Sequence, residues 1–217
     1  MEPLIPDEGR VLLLDKPYRW TSFDVVNKLR YKLQIKKIGH AGTLDPLATG
    51  LLIICVGKMT KRIEEFMGME KEYTGTFIVG QTTPSHDLET EPSEKANITN
   101  LTDEVIQNAT LPFIGNIEQL PPMHSAIRIG GKRAYSFARK GEEVELQPRS
   151  VEVKTFEITN INLPEVTFRI VCSKGTYIRS IARDFGKALG VGAYLSSLCR
   201  TRIGNYKLEN ALTLEQV

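Results

Sequence analysis

The chain has 217 residues, 41% of them hydrophobic and 25% charged, which is ordinary for a globular protein and enough for one substantial core. The formal net charge is only +2, so composition alone does not indicate a nucleic-acid binder. No apolar run is long enough to span a bilayer, the three cysteines lack paired metal spacing, and we expect no signal peptide. We therefore expect a reduced, cytoplasmic protein.

The charge is distributed unevenly along the chain. Basic residues form two groups, which comprise Lys28, Arg30, Lys32, Lys36 and Lys37, and then Arg128, Lys132, Arg133, Arg139 and Lys140. Acidic residues collect between positions 87 and 94 and again between positions 142 and 145. Local basic groups of this kind suit contact with phosphates, although a run of charge is more often simply a solvated surface.

The first elements of the chain are a predicted strand, helix and second strand. Residues 11–14 are apolar and predict a short buried strand. Thr21 and Asp24 have the spacing of a capping box, and the apolar residues that follow recur at helical spacing. Residues 51–56 form an apolar run of strand length, which predicts a buried strand of a sheet.

The segment between that helix and that strand, residues 39–50, holds three glycines and one acid. Glycine allows backbone turns that a Cβ would forbid. Pro46 fixes its own φ and biases Asp45 away from the helical region, so the carboxylate is presented from a stiff backbone. Two interpretations fit: a tight turn whose Asp45 caps neighbouring N–H groups, or a loop that holds a nucleophile still.

The middle of the chain predicts a second helix and a further strand. Apolar residues at helical spacing are followed by Gly68, which closes the helix. Residues 71–80 predict a half-buried strand, in which Tyr73 is by itself one more core aromatic. Residues 81–99 are polar and acidic and predict an exposed loop, after which Thr102 caps a short helix.

The last third predicts a strand followed by two helices. Residues 166–173 mostly alternate between apolar and polar, which is typical of a half-buried strand. The strand ends at a corner that holds Tyr177 and Arg179, and such corners often carry functional side chains. A helix with an apolar side follows and ends at Gly190. A final helix is predicted to begin at Tyr194.

Residues 39–50 read Gly-His-Ala-Gly-Thr-Leu-Asp-Pro-Leu-Ala-Thr-Gly and resemble the catalytic motif of the bacterial tRNA pseudouridine synthase B family. Four further motifs keep the family order: Leu-Asp-Lys-Pro at 14–17, Lys-Glu-Tyr at 71–73, Gln-Leu-Pro-Pro-Met-His-Ser-Ala-Ile-Arg at 119–128 and Gly-Thr-Tyr-Ile-Arg at 175–179. The chain departs from the family at residues 83–85, which are Thr-Pro-Ser where Thr-Asp-Thr is common, and at His124, where Tyr is frequent.

The resemblance implies the pseudouridine synthase catalytic fold, an α/β (α+β) arrangement with a mixed, largely antiparallel central sheet and flanking helices. We expect one catalytic domain over residues 1–217, with a basic, RNA-gripping insertion at about residues 128–149. Many relatives carry a further small RNA-binding domain at the C-terminus, and we expect this chain to lack it. Lys16 is a candidate near the site, and residues 81–99 are assigned no RNA contact.

The resemblance also implies an activity, the isomerisation of uridine to pseudouridine at position 55 in the T arm of tRNA. Asp45 is then the catalytic residue, acting on the ribose C1′ or through a glycal. Arg179 pairs with Asp45 and keeps it charged when the substrate excludes water. The flipped-out base is handled by four residues: His40 fills the vacated space, Tyr73 stacks on uracil, Tyr177 lines the pocket and Leu198 closes its apolar side.

This reaction needs neither redox equivalents nor an activated donor, so we expect no cofactor and no metal. The expected partner is tRNA, with no membrane, and the expected state is a monomer. Two other functions fit the motifs: a silent RNA-binding module or tRNA folding chaperone, and the catalytic subunit of a guide-RNA-dependent pseudouridine synthase. The intact Asp45, Tyr73 and Arg179 argue against the first, and the Pro-Leu-Ala-Thr sequence at 46–49 favours the stand-alone enzyme over the second.

Overall fold

The computed structural model describes residues 9–125, 128–129, 132–133, 137, 142 and 146–217. The chain divides into two compact units: the first comprises Met1–Thr74 and Ser197–Val217, and the second comprises Gly75–Ser196. Each unit combines strands with helices. None of the described helices is long and apolar enough to cross a membrane.

The first unit is built around strand β3 (Ala48–Val56). Along one edge β3 pairs antiparallel with β1 (Arg10–Lys16); along the other it pairs parallel with β10 (Ala193–Ile203) and antiparallel with β2 (Ile38–Ala41). The unit also contains α1 (Ser22–Leu33), a 3-10 helix (Gly57–Arg62), α2 (Ile63–Gly68), the start of β4 (Lys71–Val79), β11 (Tyr206–Lys207) and a second 3-10 helix (Leu208–Asn210).

Strand β3 is covered on both faces, which explains its unbroken apolar sequence. Because side chains alternate across a strand, Leu52 and Ile54 pack in the cluster that contains the apolar side of α1, whereas Leu51 and Ile53 pack with Phe66 of α2. The strand predicted at residues 51–56 is therefore confirmed.

Helix α1 begins where its capping residues predict. The Thr21 hydroxyl accepts a hydrogen bond from the Asp24 N–H (3.0 Å), and the Asp24 carboxylate accepts one from the Thr21 N–H (2.8 Å). This reciprocal pair satisfies two N–H groups that the first turn of a helix leaves without partners. The helix ends at Gln34, which has a left-handed conformation with φ of 56°.

The second unit places its strands in the order β4, β9, β8, β5. Strand β8 (Arg149–Asn162) pairs antiparallel with both β5 (Gly115–Gln119) and β9 (Glu165–Cys172). The unit also contains α3 (Asp103–Asn108), a 3-10 helix (Leu111–Phe113), the short hairpin of β6 (Arg128–Ile129) and β7 (Lys132–Arg133), α4 (Ile178–Ala188) and the start of β10. Aromatic rings form its core, with Phe77 and Phe168 stacked at a centroid distance of 4.1 Å and Phe185 5.5 Å from Phe77.

The predicted mixed, largely antiparallel sheet is confirmed. Antiparallel pairs join β1 to β3, β2 to β3, β5 to β8, β8 to β9 and β10 to β11, and β3 with β10 is parallel. The helices predicted to begin after Thr21 and Thr102 and to end near Gly190 are also present.

The prediction of a final helix that begins at Tyr194 is wrong, because Ala193–Ile203 is strand β10. Two glycines before it, Gly190 and Gly192, have positive φ and turn the chain away from α4. Residues 198–200 then pair with residues 48–50 of β3, and this long-range pairing decides the conformation over local helical spacing.

Two further expectations concern loops. Residues 81–99 are a connection without helix or strand, as predicted, but they are not fully exposed, since Thr83, Ser85 and Asp87 are buried. The expected insertion at about residues 128–149 lies largely outside the described residues. Its basic and aromatic contacts with RNA therefore stay predictions.

Helix α4 lies against the turn before β10 so closely that residue 186 has to be glycine. A Cβ at Gly186 would lie 2.0 Å from the Ala193 backbone nitrogen and 2.3 Å from the Gly192 carbonyl carbon. We expect Gly186→Ala to lower the free energy of unfolding by about 2 to 3 kcal/mol, because overpacking against backbone forces the two elements apart.

Gly68 in α2 is the matched control, since nothing lies within 4 Å of a Cβ there. We expect Gly68→Ala to leave the free energy of unfolding unchanged or to raise it by about 0.5 kcal/mol. Urea denaturation of the two variants measures both effects. Equal stability of the two variants would show that α4 does not need the close approach.

Candidate active site

The loop that carries Asp45 connects β2 to β3 in the first unit and spans residues 42–47. Both strands are held in register, with Ala41 opposite Ile53, so the two ends of the loop are fixed. Within the loop the Ala48 N–H donates to the Asp45 carbonyl (3.1 Å), which closes a tight turn at Pro46. Asp45 itself is half-buried.

Ser22, the first residue of α1, fixes the residue before Asp45. Its hydroxyl accepts a hydrogen bond from the Leu44 N–H (2.9 Å) and donates one to the Leu44 carbonyl (3.1 Å). Both polar groups of the Leu44 backbone are therefore satisfied by one buried side chain.

Lys16, the last residue of β1, fixes the residue after Asp45. The side chain is 0% exposed, and its ammonium donates to the carbonyls of Pro17 (2.9 Å), Trp20 (2.6 Å) and Pro46 (3.3 Å). Burial lowers the pKa of Lys16 to about 8, and the Asp45 carboxylate opposes this shift by stabilising the ammonium. The Asp45 carboxylate therefore lies near enough to the Lys16 ammonium to stabilise its charge.

Arg200 of β10 fixes the beginning of the loop. Its buried guanidinium donates from Nε to the Leu51 carbonyl (2.8 Å) and from Nη2 to the Gly42 carbonyl (3.1 Å). Lys16, Ser22 and Arg200 together form what we call the loop clamp, three buried side chains that hold residues 42, 44 and 46. The clamp comes from three different elements and places two cations beside an acidic loop.

His40 lies in β2, opposite Ile54, and is half-buried. Burial lowers the pKa of His40, and the nearby Arg200 guanidinium lowers it further, so the imidazole is neutral at physiological pH. Its Nδ1 is buried without a hydrogen-bond partner among the described residues. The site therefore presents a flat, neutral ring at this position.

Tyr73 and Leu198 are the other predicted site residues of the first unit. Leu198 is half-buried in β10, directly opposite Ala48 at the end of the Asp45 loop. Tyr73 is buried in β4, two residues after Lys71, whose ammonium donates to carbonyls at the end of α2. Lys71 thereby anchors the beginning of the strand that presents Tyr73.

Tyr177 and Arg179 lie in the second unit, at the start of α4. The Gln119 amide holds Tyr177 by accepting from its N–H (2.7 Å) and donating to its carbonyl (3.1 Å). Arg179 is 3% exposed and donates to the carbonyls of Ser85 (3.2 Å) and His124 (2.8 Å). Its Nε lies 3.5 Å from the Asp87 carboxylate.

The buried pair of Arg179 with Asp87 corrects the interpretation of residues 81–99 as an exposed acidic loop. The loop turns inward because Ser85 and Asp87 bind the guanidinium of α4. His124, whose role the sequence left open, contributes a backbone carbonyl to the same guanidinium. The expected pairing of Arg179 with Asp45 stays a prediction.

Sequence reasoning missed most of the loop clamp. A signal for Lys16 was present, because residues 12, 14 and 16 of β1 share one face and the first two are buried leucines. Arg200 was hidden by the wrong assignment of β10 as a helix. Ser22 is an ordinary serine after a helix cap, and its contact with Leu44 depends on tertiary packing.

No group of three His, Cys, Asp or Glu residues within the described parts of the chain is arranged to hold a metal ion. The expectation that the reaction uses neither metal nor cofactor stays a prediction.

Two family models match the chain. Residues 30–178 match the N-terminal domain of the TruB family of pseudouridylate synthases, and residues 179–217 match the C-terminal domain of tRNA pseudouridylate synthase B. Together they cover the chain from residue 30 to residue 217.

Relatives from two organisms are similar along nearly the whole chain. The tRNA pseudouridine synthase B of Flavobacterium johnsoniae is 54% identical over 214 residues, which is 95% of this chain and 93% of that protein. That of Phocaeicola vulgatus is 55% identical over 214 residues, which is 96% of this chain and 91% of that protein.

A solved structure is similar as well. A chain in the crystal structure of a Cbf5-Nop10-Gar1 complex aligns with a TM-score of 0.75 and 32% identity. The alignment covers 96% of this chain and 53% of that chain, so this chain spans about half the length of its structural relative.

The burial of Lys16 predicts a specific dependence of stability on pH. Its folded pKa of about 8 lies below 10.5, the ordinary pKa of a lysine in an unfolded chain, so the unfolded chain binds more protons between these two pH values. The charged Lys16 ammonium destabilises the folded state; this effect is fully present well below pH 8 and disappears as the pH rises towards 10.5. We expect the free energy of unfolding of the native protein, minus that of Lys16→Met, to rise by about 2 kcal/mol from pH 7 to 9.5.

Urea denaturation of both proteins at each pH measures this difference, and the subtraction removes the titration of all other groups. A difference that stays flat or falls with pH would contradict the burial of the ammonium.

Proposed function

The chain belongs to the TruB family of pseudouridylate synthases, and we propose that it acts on the uridine at position 55 in the T arm of tRNA, with Asp45 as the catalytic residue. It is an isomerase that converts uridine to pseudouridine in tRNA. We further propose that it works as a monomer in the cytoplasm. The motifs at residues 39–50 and 175–179 support the finer assignment, because they carry the catalytic pattern of the family.

The loop clamp is the observation that carries the role of Asp45. A reacting group displaced by about 1 Å can lose on the order of a hundredfold in rate, so a nucleophile has to be held by rigid surroundings. Residues 42, 44 and 46 are each fixed by a buried side chain, and Asp45 lies between the last two. Lys16 and Arg200 supply positive charge where an anionic carboxylate is needed.

The reaction rearranges bonds within one nucleotide. The bond between uracil N1 and ribose C1′ breaks, the base rotates, and its C5 bonds to C1′; the C5 proton leaves and N1 gains one, so no atoms are added. Asp45 promotes the cleavage by acting on the ribose, at C1′ or by removing a ribose proton to give a glycal. A uridine in folded RNA has to be flipped out before a carboxylate reaches its sugar.

The remaining site residues bind the flipped nucleotide. Tyr73 stacks on uracil, an interaction worth about 1 to 3 kcal/mol per base. Tyr177 lines the base pocket and Leu198 closes its apolar side. His40 fills the space that the base leaves, and its neutral, half-buried ring suits contact with neighbouring bases.

We assign Arg179 the role of holding Asp45 charged during the reaction. Its guanidinium is immobilised by Ser85, Asp87 and His124, which supports a positioning task over a mobile surface contact. Removing one partner of a buried ion pair typically costs about 3 to 5 kcal/mol, so replacing either Arg179 or Asp87 would destabilise this arrangement.

A second candidate function is supported by one comparison. The likeness to a chain of a Cbf5-Nop10-Gar1 complex is compatible with a catalytic subunit that works with partner proteins. Identity of 54% and 55% with two proteins named tRNA pseudouridine synthase B, over 93% and 91% of their lengths, favours the first function. Activity of the purified chain on tRNA, with no other RNA and no other protein, separates the two.

We expect Asp45→Asn to abolish pseudouridine formation while tRNA binding is retained within about threefold, because the amide keeps the shape and loses the negative charge. The measurement is incubation of the purified protein with unmodified tRNA transcript, followed by mapping of pseudouridine at each uridine. The native protein should modify one T-arm position.

The control is Glu64→Gln, an exposed carboxylate of α2 in the same unit, whose turnover should stay within about twofold of the native protein. Turnover by Asp45→Asn would remove Asp45 from the catalytic role. A native protein that binds tRNA but forms no product would instead support the silent RNA-binding module.

A further inference from the structure

The turn between β1 and α1 exposes a cation and an aromatic ring side by side. Tyr18 is 47% exposed, Arg19 is exposed, and the guanidinium carbon of Arg19 lies 5.6 Å from the centroid of the Tyr18 ring. Arginine stacked on an aromatic face keeps its N–H groups available at the ring edge. We call these two residues the basic–aromatic turn.

The backbone of this turn is strained at Arg19. Its φ is +65°, in the left-handed region that glycine adopts freely and that other side chains disfavour. Strained residues persist where the surrounding structure fixes them, and they concentrate at functional sites. A glycine would form the same turn with less strain, so the turn itself does not require the arginine side chain.

The turn is hydrogen-bonded to the loop of Asp45. The Arg19 N–H donates to the Pro46 carbonyl (2.9 Å), the same oxygen that accepts from the Lys16 ammonium. Arg19 is therefore tied to the residue that directly follows Asp45. Its side chain is exposed at the edge of the loop clamp, within the same unit.

No Asp or Glu of the described ranges forms a salt bridge with Arg19. A second pair of the same kind lies on α1, where Phe23 is 56% exposed and the Arg30 guanidinium carbon is 5.6 Å from its ring centroid. Arg30 is oriented by the Asn27 side chain and the Ile38 carbonyl. The same unit therefore carries two pairs of a cation and an aromatic ring.

We propose that Arg19 and Tyr18 contact the RNA strand next to the target uridine, with the guanidinium on a phosphate and the ring against a neighbouring base. The proposal rests on the proposed function. RNA offers both partners, because unstacked nucleotides expose aromatic faces and each carries a phosphate. An acidic protein would match the cation but would leave the exposed ring without a partner, so RNA fits the pair better.

The variant Arg19→Gly tests this without harming the fold, since glycine accepts a φ of +65°. We expect its Kd and KM for tRNA to rise about tenfold while kcat stays within about twofold. Loss of one phosphate contact should reduce the slope of log Kd against log salt by about 0.7 to 0.9. Thermal stability should be unchanged or higher.

Gln34→Gly is the matched control. Gln34 is also an exposed residue with positive φ, 56°, but it is uncharged and lies at the far end of α1. We expect its Kd, KM and salt slope to equal those of the native protein. Tyr18→Phe should bind tRNA like the native protein, and Tyr18→Ala should raise Kd by about five- to tenfold.

Two failures are distinguishable. If the native protein forms no pseudouridine in tRNA, the proposed function is wrong. If it is active and Arg19→Gly has the same KM and salt slope, the contact is absent and only the further inference is overturned. A fall in kcat with unchanged KM would also overturn it, because Arg19 would then act through the loop of Asp45 and not on RNA.

Discussion

The carbonyl of Pro46 accepts hydrogen bonds from the buried Lys16 ammonium and from the Arg19 backbone, one residue after Asp45. The rest of the site depends on this oxygen and on the matching contacts at Leu44 and Gly42. A carboxylate on an untethered glycine-rich loop would sample many positions, and each misplaced position would be unreactive. The clamp removes that freedom before any substrate arrives.

Burying the two cations of the loop clamp costs desolvation free energy, so we infer that the clamp is retained for function and not for stability. Burying an ammonium costs free energy unless its hydrogen bonds are replaced, and the low pKa of Lys16 reports the part that is not recovered. The Lys16 ammonium donates hydrogen bonds to three backbone carbonyls, and the Arg200 guanidinium donates to two. Apolar side chains at these positions would avoid this desolvation penalty, but they would place no positive charge near Asp45.

Local patterns were enough to predict the parts of the fold that local forces decide. The capping box at Thr21 and the stiff turn at Asp45 depend on neighbours within a few residues. The burial of Lys16 was not predicted, because the predicted strand ended at residue 14 and the observed one continues to Lys16. The contacts of Arg200 and Asp87 could not be predicted, because each depends on where a distant segment packs: residue 200 on a strand with long-range pairing, and residue 87 on the start of α4.

We propose that the position of the Asp45 carboxylate matters as much as its charge, and Asp45→Glu tests this most directly. Glutamate keeps the negative charge but moves it by about one methylene, or ~1.5 Å. Under single-turnover conditions with saturating enzyme, we expect pseudouridine formation to slow by about a hundredfold or more, with tRNA binding unchanged. A rate within about threefold of the native protein would show that a charge near the sugar is sufficient and that the clamp is not needed for the chemistry.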